Sequence, residues 1–244
     1  MINEMKLFSL ILFLILWQAV SILINSEVFP SIIDIFYSIY EHYKNRDLIE
    51  NMAITLHRVF WAFSITMIVG ILIGILMGIS TRIDNIFNLF LTIALNIPAL
   101  VTIVICYIWF GLTDFSLILA VFINKVPIVI TNIKEAVSSL DKKYLQLIKV
   151  YNLSLKDKIL KVYIPYLYPS FVSSSRIAIS LIWKLVLVVE LLGRSDGVGF
   201  QISMFFQYFD ITSIFAYTFC FIFVIMLFER VFLTTLENRY KRWI

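Results

Sequence analysis

From Leu56 to Ile79 the chain reads LHRVFWAFSITMIVGILIGILMGI, and after Arg58 no ionisable group interrupts it. A helix of about 20 such residues crosses the hydrocarbon core of a bilayer, roughly 30 Å thick. Working outward from this stretch, the same reading recurs, and six candidate spans emerge at residues 7–25, 56–79, 86–109, 115–133, 170–192 and 212–235. The composition agrees: of 244 residues, 61% are hydrophobic and 15% charged, and the mean hydropathy of +0.94 exceeds what one soluble core of this length can hide. The expected fold is all-α, a polytopic membrane bundle of six transmembrane helices with a helical cytoplasmic loop, and residues 1–244 are read as a single domain.

Several function classes drop out. The chain has only seven glycines, and none of them builds a phosphate-cradling G-x-x-x-x-G-K or a dinucleotide G-x-G-x-x-G loop. His42, His57, Cys106 and Cys220 are too few and too scattered for a metal cluster or a disulfide, so no metal site and no catalytic residue is assigned. The apolar run after Lys6 has the look of a secretory signal with Ala19-Val20-Ser21 as a cleavage site, yet it continues through to Ile24 and reads as an uncleaved first span.

Charge placement sets the orientation. With the N-terminus inside, the inner segments carry Lys6, Arg82, Lys134, Lys142, Lys143, Lys149, Lys156, Lys158, Lys161, Arg239, Lys241 and Arg242, against Lys44, Arg46 and Arg194 outside. That asymmetry puts both termini in the cytoplasm, and the basic loops read as topology signals, not as a nucleic-acid patch. Between spans one and two, Ser31 and Asp34 have capping-box spacing, and Ile32, Ile35, Phe36, Ile39 and Tyr40 follow at helical intervals, as in an amphipathic helix on the outer face. Leu48, Ile49, Met52, Leu56, Val59 and Phe60 continue a second stripe into span two. Gly70, Gly74 and Gly78 put small residues on one helix face, a device mainly for close packing and secondarily a candidate path lining.

Residues 134–169 form the one long inner segment and read as helix, break, helix. Tyr144–Tyr151 is apolar-rich; Asn152 suits the left-handed end of a helix; Ser154 with Asp157 has the spacing of a capping box opening the next helix. Leu145, Leu147, Ile148 and Leu153 are apolar residues on a water-facing loop, which suggests docking of another protein; the alternative packs them against the membrane helices.

At these residues the chain resembles the membrane permeases of ATP-binding-cassette importers, whose inner motif runs E-A-A, three residues, G, nine residues, I-x-L-P. Gln146-Leu147-Ile148 stands at E-A-A, Asn152 at the glycine, and Val162-Tyr163-Ile164-Pro165 at I-x-L-P. Gln146 lacks the acid's charge, Leu147 and Ile148 are bulkier than alanine, and Asn152 replaces glycine. The set Glu190-Leu191-Leu192-Gly193 and Gly197-Val198-Gly199-Phe200, with Trp109-Phe110-Gly111, Ile97-Pro98 and Pro127, resembles the nitrate, sulfonate, taurine and bicarbonate branch. The resemblance implies an inner-membrane permease of a prokaryote. It implies a pair of such subunits, a homodimer on the simplest reading, two separate ATPase subunits that bind the ATP, and an extracytoplasmic substrate-binding protein. The coupling loop to the ATPases would comprise Gln146, Leu147, Ile148, Asn152, Leu153, Ser154 and Pro165, and no cofactor would sit in this chain.

Ionisable groups at membrane depth are functional candidates by default. Lys125 lies halfway along span four, Lys184 just past the middle of span five, and Glu190 near its outer end. The two lysines depart from the apolar residues of the family, and a role in attracting an anionic solute stands beside internal pairing or snorkelling. Glu190 belongs to the matched motif, where bracing the outer loop stands beside a place on the path. The rival to the importer is a carrier driven by an ion gradient, for which only Glu190 and Glu229 would serve as membrane acids; an intramembrane enzyme lacks a base at mid-depth.

Overall fold

The structure is a computed structural model that describes residues 2–140, 150, 151, 154, 157 and 162–240. Among the described residues there are nine helices and no strand: α1 (Ile2–Ile24), α2 (Ile32–Lys44), α3 (Asp47–Ile79), α4 (Thr81–Asn96), α5 (Ala99–Phe110), α6 (Asp114–Ser138), α7 (Ile164–Gly193), α8 (Val198–Gln207) and α9 (Ile211–Tyr240). Of these, α3, α6 and Ile211–Val231 of α9 are long and apolar enough to cross a membrane, and α4 with α5 passes the same test as a bent pair. The helix α7 carries Arg176, Lys184 and Glu190 along its length and is not among them.

The stretch 86–109, read above as one continuous span, is the main departure. It is two helices whose axes differ by 96°. The cause is Pro98. Its ring disfavours the helical conformation at the preceding residue, and Ile97 lies extended at φ −72 and ψ 124. Proline then serves at the start of α5, where a missing N–H costs nothing. Pro127 instead sits inside α6, which continues through it.

At the other end of the scale, the two apolar stripes on either side of Leu56 merge into one 33-residue helix, α3. The Ser31 cap forms as its spacing implies: the Asp34 amide donates to Ser31 Oγ at 3.1 Å, and that hydroxyl donates to Asp34 Oδ2 at 2.6 Å. On α2, Ile35 is buried, while Phe36, Tyr37, Tyr40 and Tyr43 remain exposed. Ser154 and Asp157 also make their cap, with the amide at 3.2 Å and the hydroxyl at 2.7 Å.

The chain divides into two compact units, one of residues 1–56 with 190–226, the other of residues 57–189 with 227–244. In the first, Trp17 stacks on Phe29 at 4.8 Å and meets Phe215 edge-on at 5.2 Å. In the second, Val59, Ile103, Leu117, Val121, Ile133, Ile182 and Val186 form a continuous apolar core.

The glycine stripe of α3 serves that second core as packing. A Cβ on Gly70 would stand 2.6 Å from Val129 Cγ1, one on Gly74 would stand 2.9 Å from the Ile130 carbonyl oxygen, and one on Gly78 would stand 2.5 Å from Val137 Cβ. The three glycines thus let α3 approach α6 at successive turns. Because the neighbour at Gly74 includes backbone, it cannot rotate away. Gly74→Val should destabilise the protein by about 1–3 kcal/mol, read as a lower thermal midpoint in detergent; an unchanged midpoint would show that α6 can shift to make room.

Candidate functional site: a tertiary helix cap, two membrane lysines and a buried ion pair

The first turn of a helix leaves amide donors without partners inside the helix. For α8, side chains from elsewhere in the first unit take the donors of Gly197, Val198 and Gly199, three buried residues. The Gly197 amide donates to Asn51 Oδ1 at 2.7 Å, the Val198 amide to Thr55 Oγ1 at 2.8 Å, and the Gly199 amide to Glu190 Oε2 at 2.9 Å. The Thr55 hydroxyl lies 3.0 and 2.9 Å from the two Glu190 oxygens, to which it donates. Glu190 and Thr55 are both fully buried, and Asn51 is nearly so.

The arrangement explains the spacing of the matched motif. Glu190 near the end of α7 puts a carboxylate at the positive end of the α8 dipole, where negative charge is favoured. Gly197 holds φ +96, a backbone region open mainly to glycine. The residues that sequence reasoning missed are Asn51 and Thr55. They stand four apart and so share a face of α3, as polar positions interleaved with Leu48, Met52 and Leu56; that interruption of an apolar stripe was the available signal.

Lys125 and Lys184 both lie in the second unit. Lys125 on α6 is half-buried, and Lys184 on α7 is exposed with its ammonium 5.4 Å from the centre of the Trp183 ring. Neither takes part in a hydrogen bond or ion pair among the described residues. Lys134, by contrast, donates to Asp84 at 3.0 Å and to Asn88 at 2.9 Å.

Arg58 sits near a span end, a place for which an interfacial side chain would be the ordinary expectation, yet it is only 1% exposed. Its Nε donates to Asp114 Oδ1 at 2.7 Å. Asp114 opens α6 directly after the turn made by Gly111, which ends α5 at φ +72. The Ser116 hydroxyl donates to the Gly111 carbonyl at 2.6 Å, and Thr113 with Ser116 completes a capping box. The Trp109-Phe110-Gly111 motif is therefore a helix-ending turn that delivers an acid to the buried guanidinium.

Of the coupling-loop residues, Gln146, Leu147, Ile148, Asn152 and Leu153 lie outside the described residues. Ser154 carries the cap reported above, and Pro165 is the second residue of α7.

Comparison with known proteins places this geometry. Residues 68–241 match the family described as binding-protein-dependent transport system inner membrane component. The putative aliphatic sulfonates transport permease protein SsuC of Bacillus subtilis is 25% identical over 230 residues, covering 93% of this chain and 83% of its own length. The nitrate import permease protein NrtB of Synechococcus elongatus is 25% identical over 201 residues, covering 78% of this chain and 72% of its own. A chain of the MetNI methionine ABC transporter in an inward-facing conformation shares the fold at a TM-score of 0.61 and 14% identity, over 75% of this chain and 92% of that one. None of the relatives supports the ion-driven carrier. With a matched region that spans most of the chain and an all-helical membrane architecture to go with it, the chain belongs to the family of binding-protein-dependent inner-membrane transport components, as a permease subunit of an ATP-binding-cassette importer.

Proposed function

We propose that the permease moves a small anionic solute along a path that passes Lys125 and Lys184. The observation that carries this reading is Lys125, a half-buried ammonium in the middle of α6 with no hydrogen bond or ion pair among the described residues. An ammonium at membrane depth is expensive unless a partner or water satisfies it, and a polar path with an anion in it does so. The relatives include permeases for sulfonates, nitrate and bicarbonate, which are anions, beside one for formylaminopyrimidine, which is not. Glu190, the third candidate, is fully buried and bound to Thr55 and Gly199, which supports a bracing role in keeping with its place in the motif.

On this reading two copies of the chain form a homodimer, the segment Gln146–Ser154 with Pro165 receives the ATPase subunits, and an extracytoplasmic binding protein delivers the solute. Both units are taken as parts of one permease domain with six spans and both termini in the cytoplasm, α1 and α7 completing the four spans identified by length and apolarity. ATP binding then closes the ATPases, and the coupled loop turns that movement into alternating access.

Lys125→Met tests the anion path. It should lower uptake about tenfold or more in vesicles holding the assembled transporter, while assembly and basal ATP hydrolysis are kept, and Lys184→Met should do the same to a lesser degree. Uptake at the parent rate in both variants would remove the charge from the mechanism. Identifying the ligand carried by the binding protein that co-purifies with the complex tests the substrate class, and a cationic or neutral ligand would overturn it.

A further inference from the structure

A hydroxyl side chain inside a helix ordinarily bonds a carbonyl of that helix one turn back. Several in this chain do so: Thr92 donates to the Asn88 carbonyl at 2.9 Å, Thr131 to that of Pro127 at 2.9 Å and Thr235 to that of Val231 at 2.7 Å. Thr66, Ser174 and Ser175 do not. Their hydroxyl oxygens have no hydrogen-bond partner, although the three residues are 0%, 1% and 0% exposed. A buried hydroxyl without a partner costs about 1–3 kcal/mol. Three of them in one unit, each held off its own helix, point to a use that back-bonding would forfeit.

Packing within the second unit brings the three to one depth. Gly70, Gly74 and Gly78 of α3 face Val129, Ile133 and Val137 of α6, so four residues on one helix match four on the other. One turn farther toward the N-termini, the same pairing sets Thr66 against Lys125. On the other side, an apolar cavity is lined by Ile71, Ile75 and Ile79 from the end of α3 and by Ile164, Leu167 and Phe171 from the start of α7. These two helices therefore run in opposite directions. Leaving the cavity, Thr66 comes five residues beyond Ile71 on α3, and Ser174 and Ser175 come three and four beyond Phe171 on α7, at the level of Lys125. Pro127, inside α6 and two residues past Lys125, deprives the Ile123 carbonyl of its helical amide, so α6 is held least firmly there.

We infer that Thr66, Ser174 and Ser175 with Lys125 are the oxyanion subsite of the path, buried while α3, α6 and α7 are packed together and uncovered to the solute when α7 shifts against the other two in the transport cycle. The ligand class follows from the groups. Hydroxyls alone serve either sign of charge, but an ammonium beside them excludes a cation, and no carboxylate belongs to the set. The oxygens of a sulfonate, a nitrate or a carboxylate accept from all four donors. The inference rests on the anion path proposed above and adds the donors that line it and their exposure during turnover.

The test is chemical accessibility in the intact transporter, ATPase subunits included, in nanodiscs, with Cys106→Ser and Cys220→Ser removing the free thiols of the chain. Thr66→Cys, Ser174→Cys and Ser175→Cys are each probed with two methanethiosulfonates of similar size, one bearing a sulfonate and the other a trimethylammonium. Each rate is divided by that for a small thiol in water. During ATP hydrolysis the sulfonate reagent should react about tenfold faster than without nucleotide, and about fivefold or more faster than the cationic reagent, a preference that Lys125→Met should erase. Thiols that stay unreactive through turnover, or that react without preference for the anion, overturn the inference. Lys125→Cys separates it from the reading beneath it. If that position reacts with the sulfonate reagent and the other three do not, the path stands and the subsite falls; if none of the four reacts, the path falls and the inference with it. Stability gives a second measure. Thr66→Val, Ser174→Ala and Ser175→Ala each remove an orphaned group, so the thermal midpoint should be kept or raised, and a midpoint several degrees lower in all three would mark the hydroxyls as structural and overturn the inference too.

Discussion

Leu147→Asp and Leu153→Asp should each abolish uptake and release the ATPase subunits while the permease remains inserted. The proposed docking segment joins apolar side chains to a spacing that resembles the importer motif. An interface of this kind draws its affinity from apolar residues taken out of water. A carboxylate placed there has no cation assigned to meet it, and an uncompensated buried charge costs roughly 3–5 kcal/mol. At about 1.4 kcal/mol per factor of ten, that weakens the contact a hundred- to several-thousand-fold. Co-purification of the ATPase with each variant from detergent extracts is the measurement, and a full complement of ATPase on both would place the docking surface elsewhere. Leu147→Ile, equally apolar, should keep uptake within about twofold.

The sequence was legible where one physical signal dominated. Long apolar runs such as Val59–Ile79 could only be membrane helices, and the caps at Ser31 and Ser154 formed because side-chain oxygen and amide stand three residues apart whatever the tertiary context. The bend at Ile97-Pro98 was harder. A proline in an apolar run is compatible with a kinked helix or with a full break, and which occurs depends on whether neighbours satisfy the freed backbone groups. The cap on α8 was illegible in a different way. Glu190 stood out by its charge, but its partners Asn51 and Thr55 are more than 130 residues distant, as the separation of 135 between Thr55 and Glu190 makes plain. Polar residues at a helix edge look the same in sequence whether they face water or a buried amide. Arg58 and Asp114 were hidden for that reason too: each falls near a span end, where solvent is the default partner.

Glu190→Ala separates the two readings of that residue. If the carboxylate is a brace, its removal strands the Gly199 amide and leaves the Thr55 hydroxyl without its acceptor in a site closed to water. Each buried group left unsatisfied costs about 1–3 kcal/mol, so the loss should be roughly 2–5 kcal/mol, seen as a thermal midpoint several degrees lower in detergent. Glu190→Gln retains an oxygen for the Gly199 amide and fills the same volume, so it should lose distinctly less. Thr55→Val should fall in between, since it gives up the acceptor for the Val198 amide but leaves Glu190 on Gly199. The order Ala, Val, Gln from worst to best follows from the number of buried donors each variant strands: the Gly199 amide and the Thr55 hydroxyl for Ala, the Val198 amide for Val, and none for Gln. A residue on the solute path would give the opposite pattern: an unchanged midpoint in Glu190→Ala, with uptake altered as much by Gln as by Ala, because the charge itself would then be what the solute meets.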